Sequence, residues 1–338
     1  MATLPELTRT VDDAFTHTWF EIRKEAIDNI LDANVVSALL RERGCFKTQV
    51  GGDRITRTIR YGKKSAETFG KGSILPQGED EIETMAWWKW AYTVTHVQRT
   101  LVDDQQNSGP SKIKSLVQTK LAAAREALTE KQEAQINAAI DTDFLDLRAV
   151  LDPFSLLNMY PLPSATYVTA PALAYTYGNI PFGTVNTWWR AKYKEATATP
   201  EENLLADMRN LYNTVGDNIA PPNMLLTTQE IFELYEDFVM DKVQIVTDES
   251  TKLANLGFDV LRFKGKPLVW SASALSGAIQ MLNTDFIEVV YDPTLWFEMS
   301  EWRTPARQFE RVAYIVAAMN LICPQLRRQG LLHTITMT

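Results

Sequence analysis

Cysteine and histidine are scarce in this chain, and their scarcity is the first thing that narrows its chemistry. The 338 residues include two cysteines, Cys45 and Cys323, at opposite ends, and three histidines, His17, His96 and His333, in separate segments. Two distant cysteines make no disulfide framework. The start lacks the charged-then-apolar order of a secretory signal, so a reducing cytoplasm is the expected compartment. No histidine stands at metal-ligand spacing with Cys, Asp or Glu. Long apolar runs are missing as well. The longest, Val312 to Cys323, is interrupted by Asn320 and falls short of the ~20 residues that span a bilayer, so no membrane role is expected. An excess of positive charge is also absent. A formal charge of -8 argues against a dedicated nucleic-acid binder, which needs a basic surface to neutralise phosphates.

Catalytic motifs are equally wanting. Gly70-Lys71-Gly72-Ser73 lacks the first glycine and the four-residue spacer of a phosphate loop and reads as a plain loop. Asp141, Asp143 and Asp146 lack the glycine and distal glutamate of a calcium-binding EF-hand, and read as a solvated helix end. No nucleophile elbow and no local Ser-His-Asp or Cys-His pairing occurs. The expectation is a non-enzyme with no catalytic residues, no cofactor and no metal.

What the chain does have is a core's worth of apolar residues, 45% of the total, and nine tryptophans, some paired as Trp87-Trp88 and Trp188-Trp189. Aromatics in that number fill cores or interfaces, and core is the simpler reading for each. The first 44 residues read as an amphipathic arm, with Phe15, Trp19, Phe20, Ile22, Ile27, Ile30 and Leu31 at roughly helical spacing. From Arg41 to Lys71, nine basic residues stand against three acidic ones, a local balance of +6. Within it, Arg54-Ile55-Thr56-Arg57-Thr58-Ile59-Arg60-Tyr61 carries polar residues on both faces and too little apolar surface for a core. It predicts one leg of a long exposed β-hairpin, costly to leave unsupported in a monomer. The acidic cluster Glu79, Asp80, Glu81 and Glu83 follows. A return strand is expected with Trp88, Trp90, Tyr92 and Val94 on one face and Lys89, Thr93 and Thr95 on the other. The basic stretch, which includes Lys63 and Lys64, has three readings: nucleic-acid contact, charge complementarity between subunits, and a merely solvated face.

Ser108-Gly109-Pro110-Ser111 is a helix start signal. Ile113, Leu116, Val117, Leu121, Ala124 and Leu128 then recur at helical spacing, predicting one helix over 111–140, with Thr129-x-x-Gln132 as a place where it could break. Five prolines mark 141–182 as loop-rich. Thr199-Pro200-Glu201-Glu202 opens a helix that Gly216 stops, and Thr227-x-x-Glu230 caps another. Short strands fit at 224–227, 258–263, 267–270 and 286–291, so the second half is a mixed α+β domain.

Several stretches, in this order, resemble the Hong Kong 97-type major capsid proteins of tailed bacteriophages. They are Asn107-Ser108-Gly109, Asn186-Thr187-Trp188-Trp189-Arg190, the run from Leu256 to Pro267 (LGFDVLRFKGKP), Asn320-Leu321-Ile322-Cys323 and Arg327-Arg328-Gln329-Gly330. The resemblance covers nearly the whole chain. It implies an α+β capsid fold: an N-terminal arm over 1–44, an extended hairpin (the E-loop) over 45–86, a strand and spine helix of a peripheral domain over 87–140, an axial domain over 141–290, and closing strands of the peripheral domain over 291–338. It further implies self-assembly into pentamers and hexamers of an icosahedral shell around double-stranded DNA, built in the host bacterial cytoplasm. A portal, a separate scaffolding protein and a decoration protein are the implied partners. Arg54, Arg57, Arg60, Lys63, Lys64, Glu79, Asp80, Glu81 and Glu83 become candidates for contacts between subunits. Arg23, Lys24, Lys112, Lys114 and Lys120 are candidates for sequence-independent DNA contact. Lys63, Lys64 and Lys71 lie where some relatives carry a crosslinking lysine, a feature most relatives lack. An encapsulin-type cargo shell and a soluble α+β enzyme are the alternatives.

Overall fold

The computed structural model describes residues 34–62, 68, 81–100, 110–136, 156–160, 176–181, 186, 188–197, 200–216, 219–240, 261–272, 274–305 and 310–335, together with His17, Trp19, Arg23 and Ile27. Helix α1 (Val35–Glu42) leads into β1 (Phe46–Thr48), β2 (Arg54–Arg60), β3 (Glu83–Lys89), β4 (Ala91–Thr100) and the long α2 (Pro110–Ile136). Then come β5 (Thr176–Tyr177), β6 (Ile180–Pro181), β7 (Lys192–Glu195), α3 (Pro200–Gly216), β8 (Met224–Thr227) and α4 (Gln229–Met240). Seven further strands follow among the described residues: β9 (Leu261–Phe263), β10 (Lys266–Trp270), β11 (Ile279–Leu282), β12 (Glu288–Tyr291), β13 (Glu298–Met299), β14 (Glu310–Ile322) and β15 (Gly330–His333).

Helix α2 runs unbroken through Thr129 and spans roughly 40 Å at 1.5 Å per residue. Thr129 does not cap a second helix: its hydroxyl donates to the Arg125 carbonyl one turn back at 3.0 Å, the bond a threonine makes inside a helix. Leu121, Ala124 and Leu128, at the i, i+3, i+7 positions of one face, are buried against Val97, Ile315 and Ala317. Glu126 and Glu130 are exposed and Lys120 is half-buried. The side chains of Lys112 and of Leu116, a member of the apolar stripe, lie outside the described residues, as do residues 137–140.

Two sheets carry the rest. In the first, β14 pairs with β4 from Glu310↔Thr100 to Met319↔Ala91. On its other edge β14 holds β13 and β12, and β12 pairs in parallel with β1. The second sheet runs β7-β15-β11-β8-β10-β9. Leu204, Met208, Leu211, Ile231 and Tyr235 of α3 and α4 are buried against Phe263, Ile279 and Met281 of that sheet. Strand β15, expected among the closing strands over 291–338, therefore belongs to the second sheet, between β7 and β11.

Local signals fared unevenly. Helix α3 begins at Pro200 and ends at Gly216 as its capping pattern predicts. Helix α4 begins one residue later than its pattern suggests. Thr227 ends β8, and its buried hydroxyl donates to the Ala278 carbonyl at 3.1 Å instead of capping the helix. The strand expected over 286–291 starts at Glu288, because Thr284–Phe286 forms a 3-10 turn capped by Asn283. The return strand differs most. The chain breaks at Trp90 into β3 and β4, so the two-residue period slips by one. Trp88 and Trp90 are buried, but in β4 it is Thr93, Val97 and Arg99 that face inward, while Tyr92 and Val94 are each 59% exposed.

Candidate assembly interface

The register of the β2–β3 hairpin, Arg54↔Lys89 through Arg60↔Glu83, sorts its side chains. Ile55, Arg57 and Ile59 share a face with Trp88, Ala86 and Thr84; Arg54, Thr56, Thr58 and Arg60 share the other with Lys89, Trp87, Met85 and Glu83. The inner face is core: Ile55 and Ile59 are 0% and 6% exposed and pack with Trp88, Trp189 and Tyr177. This corrects the expectation of a hairpin too polar to enter a core. Two isoleucines suffice because the aromatic surface they cover is supplied from elsewhere in the chain.

The hairpin leaves the first sheet through Gly51 and Gly52, whose φ of 59° and 93° lie in the region that glycine adopts without strain. Each leg is tied down at this hinge. Asp292 Oδ2 accepts the Gly51 N–H at 3.3 Å, Trp90 Nε1 donates to the Gly52 carbonyl at 2.7 Å, and Asn320 Nδ2 donates to the Lys89 carbonyl at 2.7 Å. Glu288 spans the hinge. Its Oε1 accepts from Lys47 Nζ at 2.6 Å on the sheet side, and its Oε2 accepts from Arg57 Nε at 2.9 Å on the hairpin side. Burial alone would raise the Glu288 carboxyl, but the two cationic donors outweigh it and hold the group below its ordinary value. Beyond Glu288, the Tyr61 ring stacks on Trp188 with centroids 4.7 Å apart and planes 15° from parallel.

Arg57 is thus committed within its own chain. Arg54 lies over the Trp87 ring at 4.1 Å and pairs with neighbouring Asp53 at 3.0 Å, both on the outer face. Arg60 is exposed there and stands opposite Glu83, while Glu81 accepts the Tyr61 hydroxyl at 3.2 Å. Lys63, Lys64, Lys71, Glu79 and Asp80 lie outside the described residues. Among the DNA candidates, Arg23 donates to the Glu298 carboxylate and to the Trp296 carbonyl, and Lys120 donates to the Gln98 carbonyl at 2.8 Å. Lys24 and the side chains of Lys112 and Lys114 are outside the described residues.

Sequence reasoning missed Glu288, Asp292, Asn320 and Trp188. Glu288 had a signal, a lone carboxylate in the run Ile287-Glu288-Val289-Val290, which a half-buried strand tolerates only with a cationic partner. A second surface also went unread. Tyr92, Val94 and Tyr314, the last 45% exposed, share the face of the first sheet opposite α2, where Val94 stands directly opposite Val316. Contiguous apolar side chains on a sheet face mark a surface suited to contact.

No protein-family model and no curated protein matches the sequence. Solved structures do match in shape. A chain of the cyanophage A-1(L) capsid asymmetric unit superposes with a TM-score of 0.58 at 14% identity, over 85% of this chain and 90% of that one. The chain has the Hong Kong 97-type capsid fold. The same arrangement recurs in the capsid of a native GTA particle, with a TM-score of 0.52 at 9% identity over 88% and 90% of the two chains. It recurs again in the satellite phage P4 procapsid that includes the size determination protein, with a TM-score of 0.51 at 10% identity over 94% and 91%.

Proposed function

We propose that the chain is the major capsid protein of a tailed bacteriophage, a structural subunit that assembles into pentamers and hexamers of an icosahedral head around double-stranded DNA. The observation that carries this reading is the fold itself, matched along nearly the full length of three shell proteins of phage or GTA particles. The hairpin supports it further: its inner face and hinge are held by its own chain, whereas its outer face offers Arg54, Arg60, Met85 and Glu83 to a neighbour. Together with Lys63, Lys64, Glu79, Asp80 and Glu81, these residues form the contact between subunits. The division into N-arm, E-loop, peripheral and axial domains follows the same reading, with β15 assigned to the axial sheet. Assembly takes place in the bacterial cytoplasm with a separate scaffolding protein and a portal, and a decoration protein is a further partner. DNA is met through few, sequence-independent contacts, since the chain's charge of -8 repels phosphate over much of its surface.

The test is to express the chain with and without its neighbouring head genes and image the products by negative stain. Closed shells or tubes are expected, and nuclease-protected DNA in native particles. Small particles under every condition would refute a shell role, and shells that package protein cargo but no DNA would favour an encapsulin-type compartment.

A further inference from the structure

The two sheets guard their edges differently. The second ends on β7, whose sequence Lys192-Tyr193-Lys194-Glu195 puts charge along the edge. The first ends on β4, where the run from Ala91 to Gln98 holds no Lys, Arg, Asp, Glu, Gly or Pro. Charge, proline and bulges are the usual means of keeping an exposed edge from pairing, and β4 has none of the first two.

The ladder shows which groups of β4 are open. In an antiparallel pair, alternate residues point their backbone groups toward and away from the partner. On β14 the Ala318 carbonyl accepts the Asp292 N–H at 3.1 Å and the Tyr314 carbonyl accepts the Ser300 N–H at 2.7 Å, both on the side away from β4. Ile315 and Ala317 between them therefore face β4, where they stand opposite Thr95 and Thr93. It follows that Tyr92, Val94, His96 and Gln98 turn their N–H and C=O groups outward. The Gln98 carbonyl is taken by Lys120 Nζ of α2 at 2.8 Å, and at the other end the strand breaks at Trp90. Between these limits Tyr92, Val94 and His96 are exposed, and no described residue bonds to their backbone groups.

We propose that this edge pairs with the same edge of a second copy of the chain, antiparallel about a two-fold axis at Val94, joining the two first sheets into one. A strand cannot add to its own edge, so the contact is intermolecular, and both of its halves lie in β4. The limits of the open stretch set the register. Only with Val94 opposite itself do all the open residues of one copy meet open residues of the other, with Tyr92 facing His96. Each such pair exchanges both of its backbone hydrogen bonds. The outer face then carries Val94 against Val94 and Tyr92 against His96, cross-strand pairs of β-branched and aromatic side chains. On the α2 face Thr93 comes opposite Thr95. Thr93 is 6% exposed, and its hydroxyl has no hydrogen-bond partner among the described residues; a facing threonine supplies one. The contact is isologous, unlike the head-to-tail contacts that close a ring. It goes beyond the shell reading, within which it would join one ring of subunits to the next.

Single cysteines test the pairing. Tyr92 and Val94 are equally exposed, at 59% each, but the register separates them. Two copies of residue 94 stand opposite each other at ~5.5 Å between Cα atoms, inside the ~4.4–6.8 Å that a disulfide spans. Two copies of residue 92 lie four residues apart along the strands, ~13.6 Å. Oxidation of the unassembled subunit and of assembled particles should therefore give a covalent dimer of Val94→Cys in at least one of the two states, at a yield at least tenfold above Tyr92→Cys. Tyr92→Cys/His96→Cys should link again. Cys45 and Cys323 are buried, and burial pushes their thiols up to about 11 and about 12, so they stay silent. Added to the double variant, Val94→Pro removes an outward N–H without touching the β4–β14 ladder and should cut the dimer yield at least tenfold, whereas Val94→Thr, which keeps the N–H, should not. Equal yields for Val94→Cys and Tyr92→Cys, or no dimer in either state, overturn the proposal. Wild-type chain that forms no shells overturns the shell reading and leaves this one to be decided by the crosslink of the unassembled subunit.

Discussion

Replacing Glu288 by glutamine tests whether one carboxylate sets the docked position of the hairpin. Glu288 is 11% exposed at its side chain, against 51% for Lys47 and 29% for Arg57. Removing a partner from a fully buried ion pair costs about 3–5 kcal/mol, and an exposed pair is worth about 0–1 kcal/mol. Here both cations can regain water once the charge is gone, so the expected loss is about 1–3 kcal/mol, near the value of one charged hydrogen bond. Urea denaturation of the unassembled subunit measures it. The pH dependence supplies a second reading. The folded carboxyl sits below its ordinary value of 4.5, so the folded state binds this proton more weakly than the unfolded one. The stabilisation is fully present above about pH 4.5 and is lost as pH falls through the folded pKa. The gap between wild type and Glu288→Gln should close toward acid. A gap below about 0.5 kcal/mol at neutral pH, the scale of an ordinary surface change, or one unchanged on acidification, would refute the reasoning.

Leu121→Ala or Leu128→Ala should cost about 2–5 kcal/mol in urea unfolding by opening a cavity under α2, whereas Glu126→Ala and Glu130→Ala should stay within about 0.5 kcal/mol. Trp188→Ala should free the far end of the hairpin, seen as faster tryptic cleavage after Arg60; an unchanged cleavage rate would mean that the Tyr61 stack holds nothing. Arg54→Glu with Arg60→Glu should slow assembly, read by light scattering, while the subunit's melting temperature moves little, because both arginines lie on the outer face. The unassembled subunit should bind duplex DNA weakly, without sequence preference and with steep salt dependence; tight binding to one site that survives high salt would contradict the capsid reading.

Features that depend on neighbours in sequence were legible from sequence. The length of α2 followed from an apolar stripe unbroken by Gly or Pro, and the ends of α3 from Pro200 and Gly216. Features that depend on a single irregular residue were not. The slip at Trp90 exchanged the faces of β4, because a period of two carries no memory across a break. The inner face of the hairpin stayed hidden for a different reason. Ile55 and Ile59 look too sparse for a core until Tyr177, Trp188 and Trp189, more than a hundred residues away, are placed against them. The placement of β15 is similarly non-local, since Leu331 and Leu332 are apolar enough for either sheet.

The arginine spacing in β2 explains how one strand can hold its own hinge and still present charge on its outer face. Arginines at every second position would all lie on one face, and at every fourth the same. A spacing of three alternates them, so Arg57 turns inward to Glu288 while Arg54 and Arg60 turn outward. The inward charge is tolerable only because Glu288 meets it with another cation, Lys47, at the opposite oxygen, leaving neither carboxylate oxygen unpaired. A spacing of two would have forced a choice: three buried charges with one acid between them, or an inner face with no polar tie across the glycine hinge. Held by Ile55 and Ile59 alone, the hairpin would still bury its apolar residues, but its angle to the sheet would be less defined, since apolar contact is non-directional. The directional bonds of Glu288, Asp292 and Asn320 supply that angle, and with it the direction in which the outer face of the hairpin is presented.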